Sequence, residues 1–507
     1  MMMTKEDGSK CQTAEENAKV FHKHFEKLYN RNPDFDAEII DLLDQLPTVD
    51  SAGHVPEHVE IRKAILHLNN KAPGDSGITP QMFKSILEDA TCFEYFCDIV
   101  IDIWTNETCP TEWDIGKLVI IPKKGDLSKP GNYRGIMLLE AAYKIFAVLI
   151  HNRLQPIVEQ RDHESQCGFR QNRSCTDAIF SVKLAMKKRR EHNQETWILF
   201  LDLVKAFDRV PRQFLWLILE KFGVPKKLIS LLKVLHCKFN IKFEIDSTTH
   251  TLLCIISLKQ GDILGPILFI FYIAAIMITW KKAHNRPLCI FRTKEDFKLT
   301  GRRYNAKGSE FAIEDSEYAD DTAVLFESRQ SLELCSPLLV NHFRKFGMEI
   351  HVGDRKQKDK PSKTEVLFVA SSPRAYENPE TYDGADLSDI ELGDDKYFPV
   401  VHKFCYLGTF LRRSCTDKED VCNRIRRAGT LRKLLFSSSR VSNVAKGKAY
   451  KSLILPILLY GSESWCLTEA LYGHLRVFHH NCLRAMCRLN RSQTFVYGIS
   501  NAVLRKR

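Results

Sequence analysis

Tyr318-Ala319-Asp320-Asp321 stands between two apolar runs, Phe311-Ala312-Ile313 and Ala323-Val324-Leu325-Phe326. Two adjacent carboxylates at a tight turn between such runs predict a β-hairpin with acidic groups at its tip. Like charges held that close are unfavourable unless something offsets them. A divalent cation does so, and Mg²⁺ takes one or two carboxylates and completes its shell with phosphates and water. Asp-Asp also occurs in ordinary solvated turns, so the tetrapeptide needs a partner. It has one upstream, where Ile198-Leu199-Phe200-Leu201 runs into Asp202 and then into Leu203-Val204-Lys205-Ala206-Phe207-Asp208. An apolar strand that delivers a carboxylate at its C-terminal end matches where active sites gather in helix-covered sheets.

The bulk composition narrows the class. A chain of 507 residues exceeds one ordinary core, so two or more lobes are expected. Hydrophobic residues at 44% and charged residues at 27% exclude a mainly disordered protein. The formal net charge of +11 has the right sign for a polyanionic partner. The 16 cysteines are scattered and form no CxxC pair, which reads as reduced thiols in an intracellular protein, nuclear or cytoplasmic. No apolar signal core opens the chain. Ile263 to Trp280 carries no charge and is about long enough to cross a bilayer. Gly265-Pro266 gives it the start of a soluble helix, so a buried core helix and no membrane partner are expected.

Other segments fall into place around these. Phe21, Phe25 and Tyr29 form an i, i+4 stripe on an N-terminal helix, and Pro47 to Pro56 reads as a linker. Helices are expected over 176–190, 211–222, 226–237 and 331–346, and strands over 118–122, 239–247, 252–257, 364–369 and 404–408. The basic run Lys187-Lys188-Arg189-Arg190 reads as a solvated helix end, with phosphate contact as the alternative. Residues 284–310 read as a basic insertion, and 383–395 as an acidic loop. Val421 to Leu435, Ala445 to Leu459 and Leu471 to Leu489 are helices of a separate basic domain, and Trp465 and Tyr460 are expected to pack it. His479, His480, Cys482 and Cys487 lie on one helix without an opposed pair, so packing is expected there and not metal.

If the Asp202 strand and the hairpin lie side by side in one antiparallel sheet, three carboxylates converge. That constellation suits a two-metal site for phosphoryl transfer. A triphosphate would also want cations, and Lys123, Lys124, Arg134 and Lys144 are upstream candidates.

The motifs extend the pattern in order: Ile121-Pro122-Lys123-Lys124-Gly125-Asp126, Asn132-Tyr133-Arg134-Gly135-Ile136, Gln166-Cys167-Gly168-Phe169-Arg170, Asp202 to Asp208, Lys259-Gln260-Gly261-Asp262-Ile263-Leu264-Gly265-Pro266, Tyr318 to Asp321, Lys363-Thr364-Glu365 and Tyr406-Leu407-Gly408. This set resembles the reverse transcriptases of non-LTR (LINE-type) retrotransposons, over about Asn70 to Arg488. The resemblance implies an α+β right-hand polymerase, with fingers at 59–195, a palm with an antiparallel sheet at 196–415, a helical thumb at 416–495 and a tail at 496–507. Residues 1–58 would be a helical extension or linker. It implies an RNA-directed DNA polymerase, a nucleotidyltransferase that adds dNTPs to a DNA primer 3′-OH on an RNA template. Asp202, Asp320 and Asp321 would bind two Mg²⁺ ions, with Mn²⁺ as the alternative. Phe207 would lie under the sugar and leave no room for a 2′-hydroxyl. Gln260 and Gly261 would flank the nascent base pair, Arg134, Lys123 and Lys144 would meet the triphosphate, and Lys363 would give a proton to the pyrophosphate.

The chain departs from the family pattern at Ser257, where Gly is usual and permits geometry that Ser resists. The N-terminal segment resembles only the linker that follows an endonuclease in many relatives, so no target nicking is expected. Two rival readings remain: a silent, element-derived RNA-binding protein, and an RNA-copying RNA polymerase, against which Phe207 argues. Oligomeric state is not legible.

Overall fold

The structure is a computed structural model and describes residues 3–503 apart from 31–34, 71, 124, 161–163, 238, 246–247, 285–288, 293–309, 358–360, 372–385, 437, 439–440 and 501. Lys124, most of the expected 284–310 insertion and the start of the acidic loop lie outside the described residues.

The strand Thr196–Leu201 is the middle of a five-stranded sheet. Its neighbours are Glu365–Val369 on one side and Asp321–Phe326 on the other, both antiparallel. Val400–Val401 closes one edge in parallel, and Asp315–Tyr318 closes the other. Every residue of Thr196–Leu201 is buried, which is why its sequence is a continuous apolar run and not an alternating one. The period of two still sorts the side chains. Leu199, Leu201, Val324, Phe326, Val366 and Phe368 enter the main core. Ile198, Phe200, Ala323, Leu325, Leu367 and Val369 enter a second core, beneath the helix Cys175–Glu191.

The hairpin differs from expectation in one arm. The strand that turns into Asp321–Phe326 is the polar Asp315–Tyr318, with Tyr318 paired to Asp321. The apolar Glu310–Ile313 pairs instead with Cys289–Arg292. Asp315, Ser316 and Glu317 are nonetheless buried, because Lys281 comes to Asp315 at 3.0 Å and Tyr406 donates to the Ser316 carbonyl at 3.1 Å.

The uncharged run becomes the helix Leu264–Ala283, long and apolar enough to cross a membrane but buried on nearly every side. It packs against the helices Ala141–Glu159, Arg212–Lys221 and Arg329–Lys345. Asp262 Oδ1 accepts the Leu264 N–H at 3.3 Å at its start. A helix apolar all round belongs inside a large core.

A second sheet of four strands runs Tyr133–Leu138, Ile115–Pro122, Asn240–Ile245, Thr248–Leu253. The helix Ala14–Tyr29 lies on it and buries the Phe21, Phe25, Tyr29 stripe; the Phe21 ring meets Tyr133 edge-on at 5.1 Å, and Phe25 meets Phe243 at 5.6 Å. The stretch read as a linker is strapped down. Leu46 N–H donates to the Lys221 carbonyl (2.9 Å) and Val49 N–H to that of Gly223 (3.0 Å).

The C-terminal helices Lys418–Phe436, Asn443–Ala449 and Glu469–Met486 bury a core of their own. The long helix expected over 445–459 breaks into an α segment, a π turn at Tyr450–Ile454 and the short helix Leu455–Leu458. Pro456, which has no N–H to donate, sits just past that turn. Trp465 Nε1 donates to Asp420 Oδ2 at 2.8 Å, and Tyr460 OH reaches the Leu407 carbonyl at 2.9 Å. His479 Nδ1 lies 2.7 Å from the Tyr450 hydroxyl, and Cys482 is buried in the core.

Two buried cations of the helix Cys175–Glu191 reach the C-terminal unit and the strand Cys289–Arg292. Arg189, from the run read as a solvated end, is 3% exposed and donates to the Glu195 and Ile290 carbonyls and to Thr196 Oγ1. Lys183 meets Asp417 at 2.7 Å with side chains 9% and 4% exposed, and Asp417 Oδ2 also accepts the Cys466 N–H. Removing one partner of such a pair strands the other charge. Asp417→Ala should therefore cost about 3 kcal/mol in denaturant unfolding, and Lys183→Met with Asp417→Leu markedly less. A loss below about 0.5 kcal/mol in the single variant would contradict this role.

Candidate active site

Asp202 is the first residue beyond the central strand, and its backbone is held from two sides. Its N–H donates to Thr364 Oγ1 at 3.1 Å, and its carbonyl accepts the His351 N–H at 2.8 Å. Leu201 pairs with Thr322, so one further step of that register sets Asp202 opposite Asp321. Residues opposed in an antiparallel pair have Cα atoms about 5 Å apart. Asp320 forms the two-residue turn with Ala319, whose φ is +57°. Burial raises the Asp320 carboxyl, and the charge of Asp202 adds to this while Arg134 opposes it. Asp321 is pushed up to about 6, by burial and then by the charges of Asp320 and Asp202.

Asp202 and Asp320 stand on the wall of a cavity of about 1160 Å³. Lys123, Lys129, Arg134 and Lys363 give the same wall a positive rim. Lys363 Nζ lies 3.8 Å from Asp202 Oδ2. Burial lowers Lys123, helped by the charge of Arg134. Phe207 lines the cavity, its ring stacked on Phe269 with centroids 4.5 Å apart. Gln260 Nε2 donates to Asp208 Oδ1 at 3.0 Å, and the Gln260 carbonyl accepts the Met137 N–H at 2.7 Å. Gly261 has φ +108°, and a Cβ there would lie 2.6 Å from the Met137 carbonyl oxygen. Only glycine fits that approach.

Two expected residues are placed differently. Asp321 adjoins Asp320 but is exposed and outside the cavity lining. Lys144, expected at the triphosphate, is not on the wall; its Nζ reaches toward the Ala72 carbonyl at 3.4 Å. Its neighbour Tyr143 takes the inward face of the helix Ala141–Glu159, so helix phase turns Lys144 away.

Several residues of the wall escaped the sequence reading. Asp208 is buried and pushed up to about 6 by that burial, against the charges of Lys205 and Lys123. Lys259 is fully buried and lowered to about 7 by burial, in spite of Asp262. Its ammonium donates to the Leu235 carbonyl at 2.8 Å and sits 3.7 Å from the centre of the Phe239 ring. Asp262 accepts the Tyr143 hydroxyl at 2.6 Å. The available signal was two opposite charges flanking Gln260-Gly261 directly before an uncharged helix, a place where charges are buried together or not at all.

The approach to Gln260 is anchored by Arg212, which is 6% exposed. It donates to the carbonyls of Cys254 (2.8 Å), Ile256 (3.0 Å), Ser257 (3.0 Å) and His236. Ser257 has φ +95°, the left-handed region suited to glycine.

The donor set at the cavity wall fits a hard cation, since it consists of carboxylate oxygens and the charge of Asp202 raises both Asp320 and Asp321. Among the described residues no three His, Cys, Asp or Glu side chains are gathered closely enough to hold an ion by themselves. Such an open set suits Mg²⁺, which leaves part of its shell to water and phosphates.

The reverse transcriptase (RNA-dependent DNA polymerase) family matches residues 121–367, which span both carboxylate strands. This segment is a reverse transcriptase domain. The chain is also similar to a probable RNA-directed DNA polymerase from transposon X-element of Drosophila melanogaster, 26% identical over 478 residues that cover 91% of this chain and 47% of the relative. It is 25% identical to the transposon TX1 uncharacterized 149 kDa protein of Xenopus laevis, over 65% of this chain and 24% of that one. It is 24% identical to the RNA-directed DNA polymerase from mobile element jockey of Drosophila melanogaster, over 94% and 48%. The chain thus spans about half the length, or less, of the curated relatives it matches. The resemblance to non-LTR retrotransposon reverse transcriptases holds, and the domain's mixture of helices and sheets is that of an α+β fold.

Two stability measurements probe this wall. Ser257→Gly relieves a left-handed Ser and should raise stability by about 1 kcal/mol, net of the entropy glycine adds to the unfolded chain. A lower unfolding midpoint would contradict the strain. Asp208 favours its protonated form when folded, so its contribution to stability is full below the ordinary carboxylate range and is lost as pH rises through about 6. Asp208→Asn should therefore be more stable than the parent by on the order of 2 kcal/mol at about pH 8 and level with it near pH 4. A difference independent of pH would contradict this.

Proposed function

We propose that this chain is an RNA-directed DNA polymerase of a non-LTR retrotransposon, which adds dNTPs to a DNA primer 3′-OH on an RNA template. The observation that carries the reading is the meeting of Asp202 and Asp320, from strands far apart in sequence, on one cavity wall with Phe207 and a rim of cations. In this reading residues 59–195 are fingers, 196–415 the palm and 416–495 the thumb of a right hand.

Asp202, Asp320 and Asp321 would hold two Mg²⁺ ions, which would supply acidification of the primer hydroxyl and charge neutralisation at the leaving phosphate. The protein's own groups do the remainder by position. Arg134 and Lys123 hold the triphosphate by charge. Gln260 and Gly261 form the surface beneath the nascent base pair, where the missing Cβ of Gly261 lets the backbone come close. Lys363, exposed at the rim, gives a proton from Nζ to the departing pyrophosphate. Phe207, pinned by Phe269, fills the space a 2′-hydroxyl would need.

Primer extension by the purified chain on an RNA template with Mg²⁺ and dNTPs tests the reading. Asp320→Ala should lower the rate about a thousandfold or more. Extension no greater than that of the variant would sink it, and salt-sensitive RNA binding without incorporation would leave an RNA-binding protein. Phe207→Ala should raise use of rNTPs relative to dNTPs by about tenfold or more. An unchanged ratio would remove Phe207 from sugar selection.

A further inference from the structure

The carboxylate turn has a strained residue at its apex. Ala319 has φ +57°, a left-handed conformation unfavourable for an L residue with a Cβ. The turn also carries like charges that push its tip outward. The hairpin pairing ends at Tyr318 and Asp321, and Arg134 on the rim acts on Asp320 through its charge.

A segment from far upstream holds the apex. Residues 165–167 run beside Glu317: the Glu317 N–H donates to the Ser165 carbonyl and the Cys167 N–H to that of Glu317, both at 2.8 Å. Gln166 is fully buried there. Its Oε1 accepts two backbone N–H groups, from Ala319 at 2.9 Å and from Gly168 at 2.7 Å. Its Nε2 donates to Glu317 Oε2 at 3.2 Å. Gly168 allows the approach, since a Cβ on it would lie 2.4 Å from the Ala319 nitrogen.

We propose that Gln166 is a positioning residue that locks the Tyr318–Asp321 turn through the Ala319 N–H and so aims the Asp320 carboxylate into the cavity. The residue type follows from the polarity of its partners. One end must accept two N–H groups and the other must donate to a carboxylate, which an amide of this length does. Glu would set two carboxylates face to face, and Met would leave buried N–H groups unpaired, which is unfavourable. The expected effect on rate rests on the polymerase reading; the lock on the turn does not.

The test uses the full chain and three variants: Q166M, Q166E and the swap Q166E/E317Q. The swap inverts the pair, so that a carboxylate at position 166 accepts from Ala319, from Gly168 and from an amide at position 317. Amide exchange at Ala319 is read beside kcat and the dNTP KM. In Q166M, Ala319 exchange should quicken by about tenfold or more. Its kcat should fall about tenfold or more with KM within about twofold, as expected when a reacting group is misaimed and substrate still binds. Q166E should be worse, and the swap should recover most of the loss. Ala319 exchange unchanged in folded Q166M, a loss confined to KM, or a swap no better than Q166E would each overturn the proposal. If Q166M does not fold, the comparison of Q166E with the swap decides it. A parent chain that shows no incorporation but the expected exchange pattern would keep the lock and end the polymerase reading. Normal incorporation with exchange and kcat unmoved by Q166M would do the reverse.

Discussion

The backbone pairing of Thr196–Leu201 with Asp321–Phe326 is the constraint on which the site depends. It sets Asp202 across from a turn that already holds two carboxylates, an arrangement electrostatics alone would dissolve. Burial along the strands holds it. Each buried Leu, Ile or Phe contributes roughly 1.5–3 kcal/mol, and both strands carry several on each face. The cost at the tip shows in the Asp320 and Asp321 carboxyls, both raised by burial and by the charge of Asp202. A sheet covered on both faces is therefore strong enough to present a strained, charged edge to a cavity.

The same logic governs the Lys259–Asp262 segment. It buries opposite charges under Gln260-Gly261, and Arg212 ties the approaching chain through carbonyls. The Tyr29 carbonyl accepts the N–H groups of Ile255 (3.0 Å) and Ile256 (3.2 Å), so the N-terminal helix also braces this approach. His24, on that helix, lies 3.5 Å from Lys205 beside the Asp202 strand. What reads as an extension in sequence is thus part of the cavity's support.

Much of this was legible because its signals are local. The run before Asp202 names a buried strand and the Gly265-Pro266 start names a core helix, while Ser257 stood out only against the family pattern, where Gly is usual. What was illegible depends on phase and on partners distant in sequence. Lys144 and Tyr143 are equivalent until the helix's inward face is known. Phe311-Ala312-Ile313 looks like the better hairpin arm, yet the polar Asp315–Tyr318 takes that place because Lys281 and Tyr406 satisfy it. Arg189 in a basic run looks solvated until the carbonyls of Glu195 and Ile290 close around it. Asp208 lies within a motif that was read, but its burial against Gln260 is a tertiary fact.

The central claim is that Asp202 and Asp320 share one cation site. Anomalous diffraction at the manganese edge, from crystals of the full chain grown with Mn²⁺, primer–template and an incoming nucleotide, tests it most directly. Density bounded by the carboxylates of both residues is expected, with any second peak about 4 Å away. Carboxylates more than about 12 Å apart, beyond what ions spaced as in two-metal enzymes can bridge, or ions bound elsewhere, would contradict it.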